Sequence, residues 1–245
     1  ATLPLGGRSG KEGTEDRTSG RDERLSTFSR TRFDELPLDV YLKKQLEKLG
    51  LGAMTPVQRA AIPTLLDGRD LLVRSPTGSG KTLAYAVPCV QKLVSLGLSQ
   101  LTRKAGTLAL VVLPTRELVV QTHETLAALC RPYPQLVTSA LMGGERRKAE
   151  KARLRKGVGV LVGTPGRLAD HLASTVSFVI AQCRLLILDE ADLLMQMGFA
   201  PTLTSIVEAL GAAAAPGVTR QSALLSATLS QSVHTLASLS LHEPG

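Results

Sequence analysis

Leu71-Leu72-Val73-Arg74-Ser75-Pro76-Thr77-Gly78-Ser79-Gly80-Lys81-Thr82 opens as a short apolar run, passes through a glycine turn and enters the helix-like segment Leu83–Val94. A strand, a glycine turn and a helix start in that order make a phosphate cradle. Gly78 and Gly80 let the backbone approach an anion, and the free N–H groups of the helix start point at it. Lys81 adds a mobile charge near the outer phosphates, and Thr82 offers a hydroxyl to Mg²⁺. Ser75, Thr77 and Ser79 complete the loop, with Ser75 where the strict pattern G-x-x-x-x-G-K-[ST] has glycine. We expect a nucleoside triphosphate site here.

Outward from this stretch, apolar runs recur at Leu71–Val73, Leu108–Leu113, Val137–Met142, Val158–Val162, Leu185–Leu188 and Ala223–Leu225, most of them separated by segments of helical length. Runs apolar throughout indicate strands buried on both faces. Repeated βα units predict an α/β fold: a doubly wound, mainly parallel sheet with helices on both faces. Upstream, Asp39 is expected to cap a helix carrying Leu42, Leu46 and Leu49 that Gly50 stops. Thr55-Pro56 opens a second helix with Gln58 in its first turn. Ser95–Gly106 and the alanine-rich Gly211–Gly217 read as a surface insertion and a linker.

Five polar clusters directly follow these runs: Ser75–Thr82, Pro114–Leu118, Thr164–Arg167, Asp189–Asp192 and Ser226–Thr228. In an open parallel sheet, ligands bind at the carboxyl ends of the strands, so the five loops form one composite site. Leu185–Leu188 ends in Asp189 and Glu190. The first suits the role of holding Mg²⁺ beside the phosphates, and the second can orient and deprotonate a water. Pro114-Thr115-Arg116 and Thr164-Pro165-Gly166-Arg167 each combine a threonine cap, free backbone N–H groups and an arginine, which fits successive phosphates of an extended polyanion. Two ordinary capped helices with surface arginines remain the alternative. Gly143-Gly144 allows close backbone approach and leads into a basic helix. Beyond Arg147 that helix either extends the track or is simply solvated. The Ser226 and Thr228 hydroxyls can bond Asp192 and so connect nucleotide site and track.

Net charge is +8 over 245 residues, and residues 143–157 hold seven basic side chains against Glu145 and Glu150. This charge favours a polyanionic partner. With no Trp, three Tyr and four Phe, base stacking is a poor basis for the grip, and contacts to the backbone are expected. The absence of Asn excludes a guanine-reading Asn-Lys-x-Asp motif. Cys89, Cys130 and Cys183 stand apart among apolar residues and read as reduced core thiols of an intracellular protein. No run reaches the ~18 apolar residues of a membrane helix. Residues 1–32, with seven basic and five acidic side chains and little apolar content, are expected to be a disordered tail. Residues 33–245 are expected to form the folded domain.

Together these motifs resemble the DEAD-box ATP-dependent RNA helicases, from Phe33 to the end. Asp189-Glu190-Ala191-Asp192 is similar to the motif that names that family, and Pro114-Thr115-Arg116-Glu117-Leu118, Gly143-Gly144, Thr164-Pro165-Gly166-Arg167 and Ser226-Ala227-Thr228 come in its order. The resemblance implies a RecA-like domain and an adenine-reading motif of Phe33, Thr55 and Gln58, with Leu51 and Met54 where the family has Phe and Pro. It implies ATP or ADP with Mg²⁺ as ligands, RNA held by its backbone, and Lys81, Asp189 and Glu190 as catalytic groups. Leu141–Gly157 is similar to the subgroup acting in nucleolar assembly of the large ribosomal subunit, which implies pre-ribosomal partners and a nucleolar or nuclear place.

The family's His-Arg-x-Gly-Arg-x-x-Arg motif does not occur in this sequence, since none of His123, His171, His234 or His242 precedes an arginine. The chain is therefore expected to be the first of two RecA-like domains, a monomer nearly inactive alone. The rival reading is a non-catalytic RNA-clamping module of the same fold. A DNA or protein translocase with a similar motor is the third.

Overall fold

The computed structural model describes residues 32–97 and 99–241. The expected disordered tail lies outside the described residues except for Arg32, which makes an antiparallel bridge to Ala53. Six strands, β1 (Leu71–Arg74), β2 (Ala109–Val112), β3 (Thr138–Leu141), β4 (Val160–Gly163), β5 (Leu185–Leu188) and β6 (Gln221–Ser226), form one sheet in the order β1-β6-β5-β2-β4-β3. Every pairing is parallel. The expected α/β fold is the observed one.

Among the described residues, nine α-helices cover the sheet in two layers. One apolar cluster joins the sheet to α1 (Val40–Lys48), α2 (Pro56–Leu66), α3 (Lys81–Ser95) and α4 (Arg116–Cys130). The other joins it to α5 (Arg147–Lys156), α6 (Pro165–Ser174), α7 (Ala191–Gln196), α8 (Ala200–Ala213) and α9 (Gln231–Ser240). Strand periodicity explains the split: Leu185 and Ile187 face the first layer, Leu186 and Leu188 the second. In β2 and β5 every residue is buried. Truncating one of these, Leu110 to Ala for instance, costs about 2–5 kcal/mol in transfer and cavity terms. Cys89, Cys130 and Cys183 are free and buried; burial pushes Cys130 up to about 12 and Cys183 to about 11. Among the described residues no helix is long and apolar enough to cross a membrane.

Local departures from expectation have identifiable causes. Asp39 caps α1 by accepting from the Tyr41 N–H at 2.9 Å, and Leu42 and Leu46 are buried. Leu49 is 41% exposed, because the helix ends at Lys48 and Leu49 only caps it. Gly211, Ala212 and Ala213 are not linker but the last turn of α8. Alanine is the strongest helix former, and that preference prevails over one glycine. The Ser95–Gly106 insertion is anchored by Leu101, which is 1% exposed.

Candidate nucleotide and nucleic-acid site

Because all six strands run the same way, the loops after them meet at one edge. Those loops are residues 75–80 after β1, 113–115 after β2, 142–146 after β3, Thr164 after β4, 189–190 after β5 and 227–230 after β6. The five predicted clusters and Gly143-Gly144 all lie there.

At the β1 end, Gly80 takes a left-handed conformation (φ +94°) as the N-cap of α3, so the chain turns sharply into the helix. A Cβ there would lie 2.5 Å from Gln58 Nε2 and 3.2 Å from Thr55 Oγ1, so only glycine fits. Gln58 donates through Nε2 to the Gly80 carbonyl (3.1 Å) and accepts the Thr55 N–H on Oε1 (2.9 Å). Ser75 donates to Ser79 Oγ, and Ser79 donates to the Pro76 carbonyl, both at 2.7 Å. The loop is closed on itself by neutral hydrogen bonds, each worth only about 0.5–1.5 kcal/mol net. Phe33 stands apart. It is 2% exposed, and the 380 Å³ concavity it borders is lined by residues between 32 and 52, with neither Thr55 nor Gln58.

Lys81, in the first turn of α3, is 5% exposed, with Nζ 2.9 Å from Glu190 Oε1. Nζ nevertheless has no partner of good hydrogen-bond geometry, so a buried ammonium is held by charge and left with donors free. Glu190 is the only non-glycine residue with positive φ among the described residues (φ 52°, ψ 50°). Such a backbone persists only where its surroundings impose it, and it clusters at functional sites. Asp189 is 4% exposed and is pushed up to about 6, first by burial and then by the Glu190 charge. Its Oδ1 accepts the Glu190 N–H at 2.9 Å, and its Oδ2 accepts the Tyr85 hydroxyl at 3.0 Å.

Tyr85 was not among the expected site residues. Its signal was available: it lies four residues after Lys81 on α3, hence on the same helical face. Burial and the Asp189 charge raise it well above its ordinary value. Thr82, in the first turn of α3, lies three residues before Tyr85 and so on the same helical face. Among the described residues no group of three or more His, Cys, Asp or Glu is arranged to hold a metal. A hydroxyl and one carboxylate instead form a hard, oxygen-only donor set, as fits Mg²⁺ held largely by waters and phosphates. The orphaned ammonium of Lys81 beside them fits the phosphates.

Asp192 joins the β5 and β6 loops. Its Oδ2 accepts both the N–H and the hydroxyl of Thr228 at 3.0 Å, and its own N–H donates to Ser226 Oγ at 3.2 Å. The Ser226 carbonyl accepts the Ser75 N–H at 2.9 Å, which ties this junction to the phosphate loop.

On the other half of the edge, Thr115 caps α4 and sets Arg116 at its first position. The Arg116 guanidinium lies over Gly144 (φ +95°), where a Cβ would come within 2.7 Å of Nη2. A Cβ at Gly143 or Gly166 would meet nothing, so both present open backbone. Thr164 caps α6 without a side-chain bond, and Pro165 occupies the first helical position. Arg167 donates to the Glu145 carbonyl (3.4 Å), and its Nε lies 3.5 Å from Glu150 Oε2. Glu150 and His171, which sequence reasoning missed, are both 0% exposed and 3.0 Å apart, and His171 Nδ1 meets Thr175 Oγ1 at 2.9 Å. Beneath the arginine lies a buried hydrogen-bonded pair. Of the basic helix, Arg147 is bound to Asp170 and Ser174. Arg153 is bound to Glu145, Ser139 and the Ala140 carbonyl.

Residues 55–236 match the family model described as DEAD/DEAH box helicase. The chain belongs to that family. It is 47% identical over 218 residues to "ATP-dependent DNA helicase DDX31" of Homo sapiens, an alignment covering 89% of this chain and 25% of that protein. It is also 47% identical over 223 residues to "Probable ATP-dependent RNA helicase CG8611" of Drosophila melanogaster, covering 89% and 23%. "ATP-dependent RNA helicase DBP7" of Scheffersomyces stipitis is 42% identical over 224 residues, covering 86% and 31%. The chain thus spans about a quarter of the length of the first two. Among solved structures, the yeast DEAD-box splicing factor Prp28 superposes with a TM-score of 0.81 at 28% identity, covering 96% of this chain and 59% of that one.

Proposed function

We infer that this chain is the ATP- and RNA-binding first RecA-like domain of an ATP-dependent RNA helicase. The observation that carries this reading is the buried Lys81–Glu190 pair beside Asp189, at the edge where every motif loop meets. A triphosphate would draw the unsatisfied Lys81 ammonium to its outer phosphates, with Ser75–Thr82 wrapped around it. Glu190, released from Lys81, is then free to orient and deprotonate a water. Mg²⁺ would be held by Thr82 and Asp189, partly through water, and would neutralise charge on the phosphates. Thr55 and Gln58 would read the adenine, while Phe33, whose N–H donates to the Gly52 carbonyl at 3.0 Å, would act through the chain leading to them. Pro114–Arg116, Gly143-Gly144 and Thr164–Arg167 would grip RNA through its backbone, and Asp192 with Ser226 and Thr228 would transmit between the halves.

The relatives' greater length supports a second RecA-like domain elsewhere in the full protein. A missing arginine finger lowers turnover by about 10³–10⁵, so this chain alone should hydrolyse almost nothing. Relatives called DNA helicase and RNA helicase stand side by side. Backbone contacts carry no sequence information, and RNA is the reading that the motif set supports. The resemblance of Leu141–Gly157 supports a role in ribosome biogenesis, on pre-ribosomal particles in the nucleolus.

Calorimetry of ADP and GDP with the wild type and Gln58→Ala tests the site. We expect Mg²⁺-dependent ADP binding that exceeds GDP binding, with Gln58→Ala losing the discrimination. Equal binding of both nucleotides by the wild type sinks the adenine assignment. Competition of RNA with DNA of the same sequence, in the presence of ATP, tests the polymer.

A further inference from the structure

Five exposed cations have no partner in the machinery described above. Lys148, Lys151 and Arg155 lie at i, i+3 and i+7 of α5, one face of a helix. Arg103 and Lys104 come from the 3₁₀ turn Arg103–Ala105. None of the five forms an ion pair among the described residues, whereas Arg147 and Arg153 on the same helix both do. The five line two adjoining concavities. One, of about 740 Å³, runs between α5 and the segment 174–177 and includes Arg147, Lys148, Lys151 and Arg155. The other, of about 170 Å³, includes Arg103, Lys104 and Arg155. Arg155 and Ser177 belong to both, and no Asp or Glu lines either.

The walls of this groove are fixed by close backbone approaches. Gly157 (φ +86°) ends α5 against the Arg103 carbonyl, where a Cβ would come within 2.1 Å. Gly106 (φ +76°) likewise sits 2.3 Å, at Cβ distance, from the Val179 carbonyl. The Thr107 N–H donates to that carbonyl at 2.8 Å, and its hydroxyl donates to the Val158 carbonyl at 3.0 Å. Like charges that repel one another are thus held side by side on a rigid frame. Such an arrangement raises the local potential for a polyanion.

We propose that this groove binds the backbone of nucleic acid flanking the segment held at the motif edge, so that a bound strand continues from Arg167 past Arg147 along α5. The inference rests on the nucleic-acid reading above. The groove includes none of the expected RNA-contact residues 114–116, 143–144 and 164–167. It meets that edge at Arg147, whose partner Asp170 also lies 3.8 Å from Arg167. No exposed aromatic lines it, so contacts are to phosphates and independent of sequence.

The test compares labelled oligouridylates of about 8 and about 24 nucleotides, the first within and the second beyond the roughly 4–16 that a single-strand-binding OB fold covers. Binding to the 245-residue chain is read by anisotropy across a salt series. The variant is Lys148→Gln with Lys151→Gln and Arg155→Gln. A control of equal charge change on the opposite layer carries Lys44→Gln, Lys48→Gln and Arg131→Gln. We expect the groove variant to lose about tenfold on the long strand, with a salt slope shallower by about 2, since each phosphate contact contributes roughly 0.7. The short strand and ADP should bind as in the wild type. Equal loss on both strands, equal loss in the control, or no loss overturns the groove while leaving the motif-edge reading intact. Stronger competition by polyglutamate than by RNA overturns it in favour of an acidic protein segment. If the wild type binds neither strand, both readings fall.

Discussion

The two halves of the functional edge are built from different interactions. At the β1 end, the phosphate loop is closed by neutral hydrogen bonds, Gln58 to Gly80 and Ser75 to Ser79. At the β4–β3 end, Arg167 is set over Glu150 and His171, both with no exposed surface. Neutral bonds of about 1 kcal/mol exchange readily for bonds to a ligand. A buried acid hydrogen-bonded to a buried histidine does not, because removing one partner leaves the other buried and unsatisfied, at up to about 3 kcal/mol. The phosphate loop is made to rearrange, and the ground under Arg167 to hold its shape.

The largest effect should therefore come from beneath the nucleic-acid half. His171→Leu removes the 3.0 Å hydrogen-bond partner of Glu150, whose Oε1 already has no bond, and should destabilise the domain by about 3 kcal/mol. Urea unfolding measures this. A loss under about 1 kcal/mol would erase the contrast, since the pair would then be no stiffer than the loop opposite.

Next comes Gly80→Ala, which places a methyl 2.5 Å from Gln58 Nε2 in a left-handed backbone. The backbone strain alone costs about 1–3 kcal/mol. Part of the damage is the clash, so the same change in a Gln58→Ala background should cost less. A coupling of about 0.5–3 kcal/mol in the double-mutant cycle is the expected outcome. Additive effects would mean that Gln58 does not buttress the loop.

What the sequence disclosed follows the same division. The strand runs and the loops after them are local patterns, and each predicted cluster lies at the predicted edge. Gly80 and Gln58 belong to local motifs, but their contact spans 22 residues and required the fold. Glu150 and His171 are 21 residues apart on different helices, each resembling an ordinary surface residue until α5 and α6 pack together. Tyr85 was hidden in an apolar helix face, where an aromatic usually means core. It is core, and its hydroxyl still reaches Asp189. Arg153 is neither of the things its basic run suggests, track or solvated surface: Glu145, Ser139 and Ala140 occupy its guanidinium.

Gly144→Ala gives the smallest and most discriminating effect. Its φ of +95° strains any side chain, for about 1 kcal/mol, and the added methyl would lie 2.7 Å from Arg116 Nη2. A guanidinium on a flexible stem can move away, so stability should fall by little more than the backbone strain. What cannot be kept is its place over the glycine turn. Binding of RNA should weaken several-fold while ADP affinity stays constant, because Thr115 still caps α4 and Gly144 follows β3, at the opposite edge of the sheet from the phosphate loop after β1. Anisotropy with a short oligouridylate and calorimetry with ADP read the two separately. Equal losses in both would mean that the halves move as one unit, and unchanged RNA binding would remove Arg116 from the track.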